Sequence, residues 1–240
     1  MTLLSVQNLV KSYRGKTVVD SVNLAVASGK VIGLLGPNGA GKTTTFYMTV
    51  GMVKPDAGRV FLNEEEITHL PMYKRARRGV GYLPQEASVF RKLTVKENVM
   101  AILETMPISK SDREERTMNL LGELGIQQLN NQRASSLSGG ERRRLEITRC
   151  LATNPEFILL DEPFAGIDPL AVIDIKKIIQ HLRKREIGIL ISDHNVRETL
   201  EVCDKAYILN DGKVIEEGSP EHIASSEIAR RIYLGDEFRL

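Results

Sequence analysis

The sequence predicts an α/β fold: alternating strands and helices form a core that carries an antiparallel β subdomain and an inserted helical subdomain. Three observations predict it. The apolar run "VIGLL" (31–35) leads into "GPNGAGKTT" (36–44) and then into helix-like residues. Two more apolar runs, "FILLD" and "IGILIS", flank "AVIDIKKIIQHLRKR", whose apolar residues recur at helical spacing. Such runs suit buried parallel strands joined by a crossover helix. From about residue 86 the strand runs give way to helical periodicity and dense charge.

Taken in order, "LLSVQNLVKSY", a turn at "RGK" and "TVVDSVNLAV" read as an antiparallel hairpin. The helix after the glycine-rich loop stops near "GMVKPDAG", where proline and glycine break it. "GRVFLN" and "GVGYLP" are short strands, and "AYILNDGKVIEEG" is a hairpin on an Asp-Gly turn. The tail starts on a capping Ser-Pro and is expected to hold an amphipathic helix. Residues 1–85 and 157–220 are expected to form the core with its β subdomain. About 86–156 form the helical subdomain, and 221–240 a C-terminal helix and tail.

The bulk numbers narrow the function. A net charge of +2, from 33 basic and 31 acidic residues, argues against a dedicated nucleic-acid binder. The basic runs at 74–78, 142–144 and 183–185 read as solvated helix faces. Cys150 and Cys203 form no CxxC pair, which fits a reducing cytosol. The first residues lack a charged segment followed by a long apolar core, so no signal peptide is expected. No apolar stretch reaches the roughly 18 residues of a membrane span. Any membrane role is therefore expected to come through partners.

The loop 36–44 carries the strongest chemistry. Gly-x-x-x-x-Gly-Lys-Thr is a phosphate-binding pattern. Gly36, Gly39 and Gly41 let the backbone turn tightly against a bulky anion. The helix from about Lys42 points its N–H groups and positive dipole end at phosphate. Lys42 is placed to reach the β/γ-phosphates, and the Thr43 hydroxyl to ligate Mg²⁺. A second candidate anion site is "LSGGERRRLEITRCL" (137–151). Ser138 is a good N-cap, Glu141 sits at the N3 position, and the two glycines bare the backbone.

Leu137-Ser138-Gly139-Gly140 resembles the signature motif of ATP-binding-cassette ATPases, with Glu141 where glutamine is commoner. The family resemblance implies a RecA-like core binding ATP and Mg²⁺ through Gly36, Pro37, Asn38, Gly39, Ala40, Gly41, Lys42, Thr43 and Thr44. It also implies a head-to-tail dimer, simplest as a homodimer, in which Ser138, Gly139, Gly140 and Glu141 of one copy close over the nucleotide of the other. "FILLDE" resembles the Walker B strand, so Asp161 would hold Mg²⁺ and Glu162 would polarise the attacking water. His194 matches the switch histidine and Gln85 the Q-loop glutamine, which reaches Mg²⁺ and the water. Asp168 matches the D-loop aspartate, and Tyr13 the aromatic that stacks on adenine.

A compact single cassette without a span resembles the cytoplasmic motor of a membrane transporter. "YLPQEASVFRKLTVKENV", "SDHNVRETLEVCDKAYIL" and the ending "RRIYLGDEFRL" bring the resemblance closest to the ATPases of lipopolysaccharide export. Those of branched-chain amino-acid importers are the alternative. The resemblance implies two transmembrane permease subunits and a place on the cytoplasmic face of the inner membrane. Phe90 and Arg91, just after Gln85, are the expected permease contacts. The tail is expected to dock on the dimer.

Overall fold

The computed structural model of the chain describes residues 2–235, 237, 238 and 240. β1 (Leu3–Tyr13) and β2 (Lys16–Ala27) pair antiparallel, from Leu3 opposite Ala27 to Tyr13 opposite Lys16. Arg14 and Gly15 between them both hold positive φ, as a two-residue hairpin turn requires. β3 (Val31–Leu35) is buried along its length, and α1 (Lys42–Val50) starts at the end of the glycine-rich loop. Then come β4 (Ala57–Leu62), β5 (Glu65–Glu66), α2 (Met72–Arg77) and β6 (Val80–Leu83). α3 (Val95–Leu103), α4 (Lys110–Glu123) and α5 (Gly139–Leu151) are capped by Thr94, Ser109 and Ser138. β7 (Phe157–Asp161), α6 (Pro169–Lys184), β8 (Gly188–Ser192), α7 (Val196–Leu200), β9 (Lys205–Asn210) and β10 (Lys213–Gly218) follow.

The strands make two sheets. One is antiparallel, ordered β2-β1-β4-β5. The other is ordered β10-β9-β3-β8-β7-β6, parallel from β9 to β6 with β10 antiparallel at the edge. Both faces of this second sheet are covered, which is why its strands read as unbroken apolar runs. Phe157 and Leu159 of β7 pack toward the antiparallel sheet and α1, with Leu4, Val6, Phe46 and Met48. Ile158 and Leu160, one pleat over, pack with Val99, Leu145, Ile175 and Ile179 of the helices. α1 is thus held between the sheets, and the helical stretch lies on the far side.

Two of the basic runs each hide one buried arginine among solvated neighbours. Arg75 is 1% exposed, and its guanidinium donates to the carbonyls of Met48, Thr49, Thr68 and Leu70 at 2.7–2.9 Å. Met48 and Thr49 end α1, where unpaired carbonyls and the negative dipole end attract a cation. Arg143 is also buried and pairs with Glu146 at 3.1 Å. Spacing could not separate these arginines from their exposed neighbours, because the carbonyls they reach lie outside their own helices. In the third run, Arg183 pairs with Asp204 and Arg185 with Glu123.

The tail forms two short helices, α8 (Pro220–Ser225) and α9 (Glu227–Ala229), and a wide turn over Arg230–Leu234. Ser219 caps α8 ahead of Pro220. Ile223, Ala229, Tyr233, Leu234 and Phe238 pack on Leu35, Leu200, Ala206 and Ile208, so the tail rests on its own core. Asp236 and Arg239 of the "YLGDEFRL" ending lie outside the described residues. Among the described residues, no helix is long and apolar enough to cross a membrane.

Candidate functional site

The parallel strands deliver the candidate residues to one edge. Gly36 follows β3, Gln85 follows β6, Glu162 follows β7 and His194 follows β8. All four therefore stand at carboxyl ends of parallel strands, the usual place for a ligand in an open α/β sheet.

The loop is shaped by close backbone approach. A Cβ on Gly36 would stand 2.1 Å from the Leu209 carbonyl, and one on Gly41 2.5 Å from that of Val18. Both glycines have positive φ, 144° and 105°. No other residue type fits there. Gly41 is also the N-cap of α1 and brings no side chain to its first turn. The Lys42 ammonium donates to the carbonyls of Gly36 (2.7 Å) and Pro37 (2.9 Å), so it arches over the loop. Burial holds its pKa below the usual lysine value, opposed by the charges of Glu162, Asp161 and Asp193. Thr43 is exposed beside it.

Asp161 ends β7 and is 4% exposed. The Tyr82 hydroxyl donates to its Oδ2 at 3.3 Å. Burial, with the neighbouring Glu162 charge, pushes Asp161 up to about 6. Glu162 has φ 47°, a left-handed conformation that costs a non-glycine residue about 1–3 kcal/mol. That turn lifts its carboxylate off the strand. Gln85 Nε2 then donates to Glu162 Oε2 at 2.7 Å, and His194 Nδ1 lies 3.4 Å from the same oxygen. Asp193, fully buried, accepts the backbone N–H groups of Phe164 and Asn195 and fixes the loop beneath His194.

The signature residues stand apart from this cluster. Ser138 Oγ accepts the Glu141 N–H, and Glu141 Oε2 accepts both the N–H and the hydroxyl of Ser138. This is a complete capping box. Ser138, Gly140 and Glu141 line a cavity of about 270 Å³ with Asp168 and Leu170. Asp168 accepts the Ala171 N–H and caps α6 ahead of Pro169. Tyr13 is half exposed at the end of β1, with the Lys11 ammonium over its ring. Thus Lys42, Gln85, Asp161, Glu162 and His194 gather at one place, and Ser138–Glu141 gather with Asp168 at another.

Sequence reasoning missed Tyr82, Asp193, Arg143 and Glu146, which brace the site from behind. Asp193 had a signal in its place at the end of "IGILISD". The Arg143–Glu146 pair had only its i, i+3 spacing.

As an arrangement, the loop can hold a polyanion, Asp161 a cation and Glu162 a water. Comparison with known proteins gives the family. Residues 19–165 match the family model described as ABC transporter. The chain is 58% identical over 238 residues to the "Lipopolysaccharide export system ATP-binding protein LptB" of Acidithiobacillus ferridurans, covering 99% of each. It is 56% identical over 241 residues to the Escherichia coli protein of that name, covering all of both. Among solved structures, an ATP-binding cassette of an ABC transporter in its ADP conformation is 30% identical, with a TM-score of 0.88 over 98% of this chain and 100% of that one. A dimeric bacterial ABC transporter cassette is 25% identical, with a TM-score of 0.80 over 90% of this chain and 98% of that one. The chain belongs to the ABC transporter family.

Proposed function

We propose that the chain is the ATP-hydrolysing motor of a lipopolysaccharide exporter, held at the cytoplasmic face of the inner membrane by permease partners. The observation that carries this reading is end-to-end identity of 55–58% with proteins named for lipopolysaccharide export, which includes the tail. A generic ATPase core does not account for similarity outside its motifs. The same full-length matches disfavour the amino-acid importer reading.

In this reading the loop 36–44 and Lys42 bind the phosphates, and Tyr13 stacks on the adenine. Glu162 takes the proton of the attacking water, with Gln85 and His194 orienting the water and the γ-phosphate. The residues present suit Mg²⁺. Thr43, Gln85 and Asp161 offer hard oxygen donors, and Asp161 is a buried acid with the Glu162 charge beside it. A dication would offset those charges and neutralise charge developing on the phosphates. A second copy would bring Ser138, Gly139, Gly140, Glu141 and Asp168 to the far side of the nucleotide. Phe90 is half exposed, with the Arg149 guanidinium 4.4 Å from its ring centre, and Arg91 is exposed next to it. This aromatic and its donors form the permease-docking surface.

The test is recovery of the tagged chain from native membranes in mild detergent, followed by mass spectrometry. Two distinct multi-span proteins together with lipopolysaccharide are expected. Permeases with a second, different cassette would transfer the reading to an importer.

A further inference from the structure

One buried ion pair reaches both the Gln85 segment and the Glu162 peptide without touching the nucleotide loop. Arg143 and Glu146 are 6% and 4% exposed on the inner face of α5. Arg143 Nη1 donates to the Pro84 carbonyl at 3.0 Å and lies 3.1 Å from Glu146 Oε2. Arg143 Nη2 donates to the Asp161 carbonyl at 3.2 Å, the peptide that joins Asp161 to Glu162. Glu146 Oε1 accepts the Ser88 N–H at 2.7 Å.

The pair therefore grips the segment around Gln85 on both sides, at Pro84 and at Ser88. It grips the Glu162 peptide at the same time. A buried ion pair contributes little net stability, because desolvation offsets most of its attraction. Among the described residues, the Arg143 Nε finds no hydrogen-bond partner. Its donors are thus directed to two chosen carbonyls and are not all satisfied. A planar fork holds two carbonyls of separate elements in fixed relation, where a lysine ammonium offers only rotatable donors on a flexible stem.

We propose that Arg143 and Glu146 are positioning residues for hydrolysis: a clasp that ties the angle of α5 to the spacing of Gln85 and Glu162. The signature residues Ser138–Glu141 begin the same helix. Tilt of α5, set by what the signature touches, is then delivered as a shift of the Gln85–Glu162 hydrogen bond. This inference rests on the assignment of Glu162 as the base.

The experiment is steady-state ATPase kinetics on the full chain carrying R143K, with melting temperature and the Kd of a fluorescent ATP analogue measured alongside. The expected result is a kcat lowered about tenfold or more, with KM and Kd within about twofold of wild type. The loss is expected to vanish in an E162Q background, because the clasp acts through that carboxylate. A folded R143K whose kcat stays within twofold of wild type overturns the proposal. So does a loss that multiplies undiminished onto E162Q. If R143K does not fold, the double variant R143M/E146L decides by the same criteria, since it leaves neither charge unpaired. Wild-type turnover in E162Q alone would instead remove the base, and the clasp with it.

Discussion

Gln85 and Glu162 lie 77 residues apart, yet Gln85 Nε2 donates to Glu162 Oε2 at 2.7 Å across the ends of neighbouring strands β6 and β7. The hydrogen bond joins the point where the chain leaves the core to the carboxylate at the centre of the site.

Replacing Glu162 with glutamine keeps the side-chain size and removes the proton acceptor. Turnover is expected to fall about 10²- to 10⁴-fold, with binding of an ATP analogue retained. Phosphate release and equilibrium binding on the same sample check both halves. Near-wild-type turnover would sink the role.

Arg75 should be a stability residue. Arg75→Met strips four buried carbonyls of their donor. Unfolding by urea is expected to show a loss of about 3 kcal/mol or more. Burial lowers the Arg75 pKa only to about 10, so the loss should be level from pH 6 to pH 8. A cost under 1 kcal/mol would mean that water replaces the guanidinium.

Glu141 carries a pH dependence. The Ser138 N–H donates to its carboxylate and holds it below the usual 4.5. A lowered folded pKa means stability that is present above the unfolded value and lost as pH falls through the folded one. Glu141→Gln is expected to cost under about 1 kcal/mol at neutral pH, with the gap closing below pH 4.5. Urea midpoints from pH 7 downward read it. A gap that widens on acidification contradicts the assignment.

Phe90→Ala removes the half-exposed ring from under Arg149. Co-purification with the permeases should drop severely, while ATPase activity of the isolated chain changes less than about threefold, as for other surface truncations. Equal loss of both would return Phe90 to a packing role.

The motifs were legible because each works locally. A glycine loop, a capping box and an acid at a strand end take their meaning from neighbours a few residues away. The two anion-site candidates, the parallel strands and the Asp-Gly hairpin all follow from such short-range rules. Arg75 and Arg143 were hidden for the opposite reason. In sequence each is one basic residue in a basic run, and the carbonyls it holds lie outside its own helix. The left-handed turn at Glu162 was hidden too, since glutamate carries no preference for it. The tail was only half legible: Ser219-Pro220 marked its start, but several short apolar contacts, and not one helical stripe, hold the rest.

The helical stretch leaves the core after β6 and returns at β7, and those strands are neighbours. Some seventy residues thus leave at the carboxyl end of β6 and rejoin at the amino end of β7, at opposite ends of one strand pair, as a door hangs from two hinges on one side of its frame. Turning about that line stretches neither sheet. Pro84 and Gln85 form the exit hinge, beside the carboxyl end of β7 that carries Asp161, so displacements about that line are smallest there and largest at the outer helices. A motor built this way can trade a sub-ångström change beside its fuel for a swing many times larger at the rim.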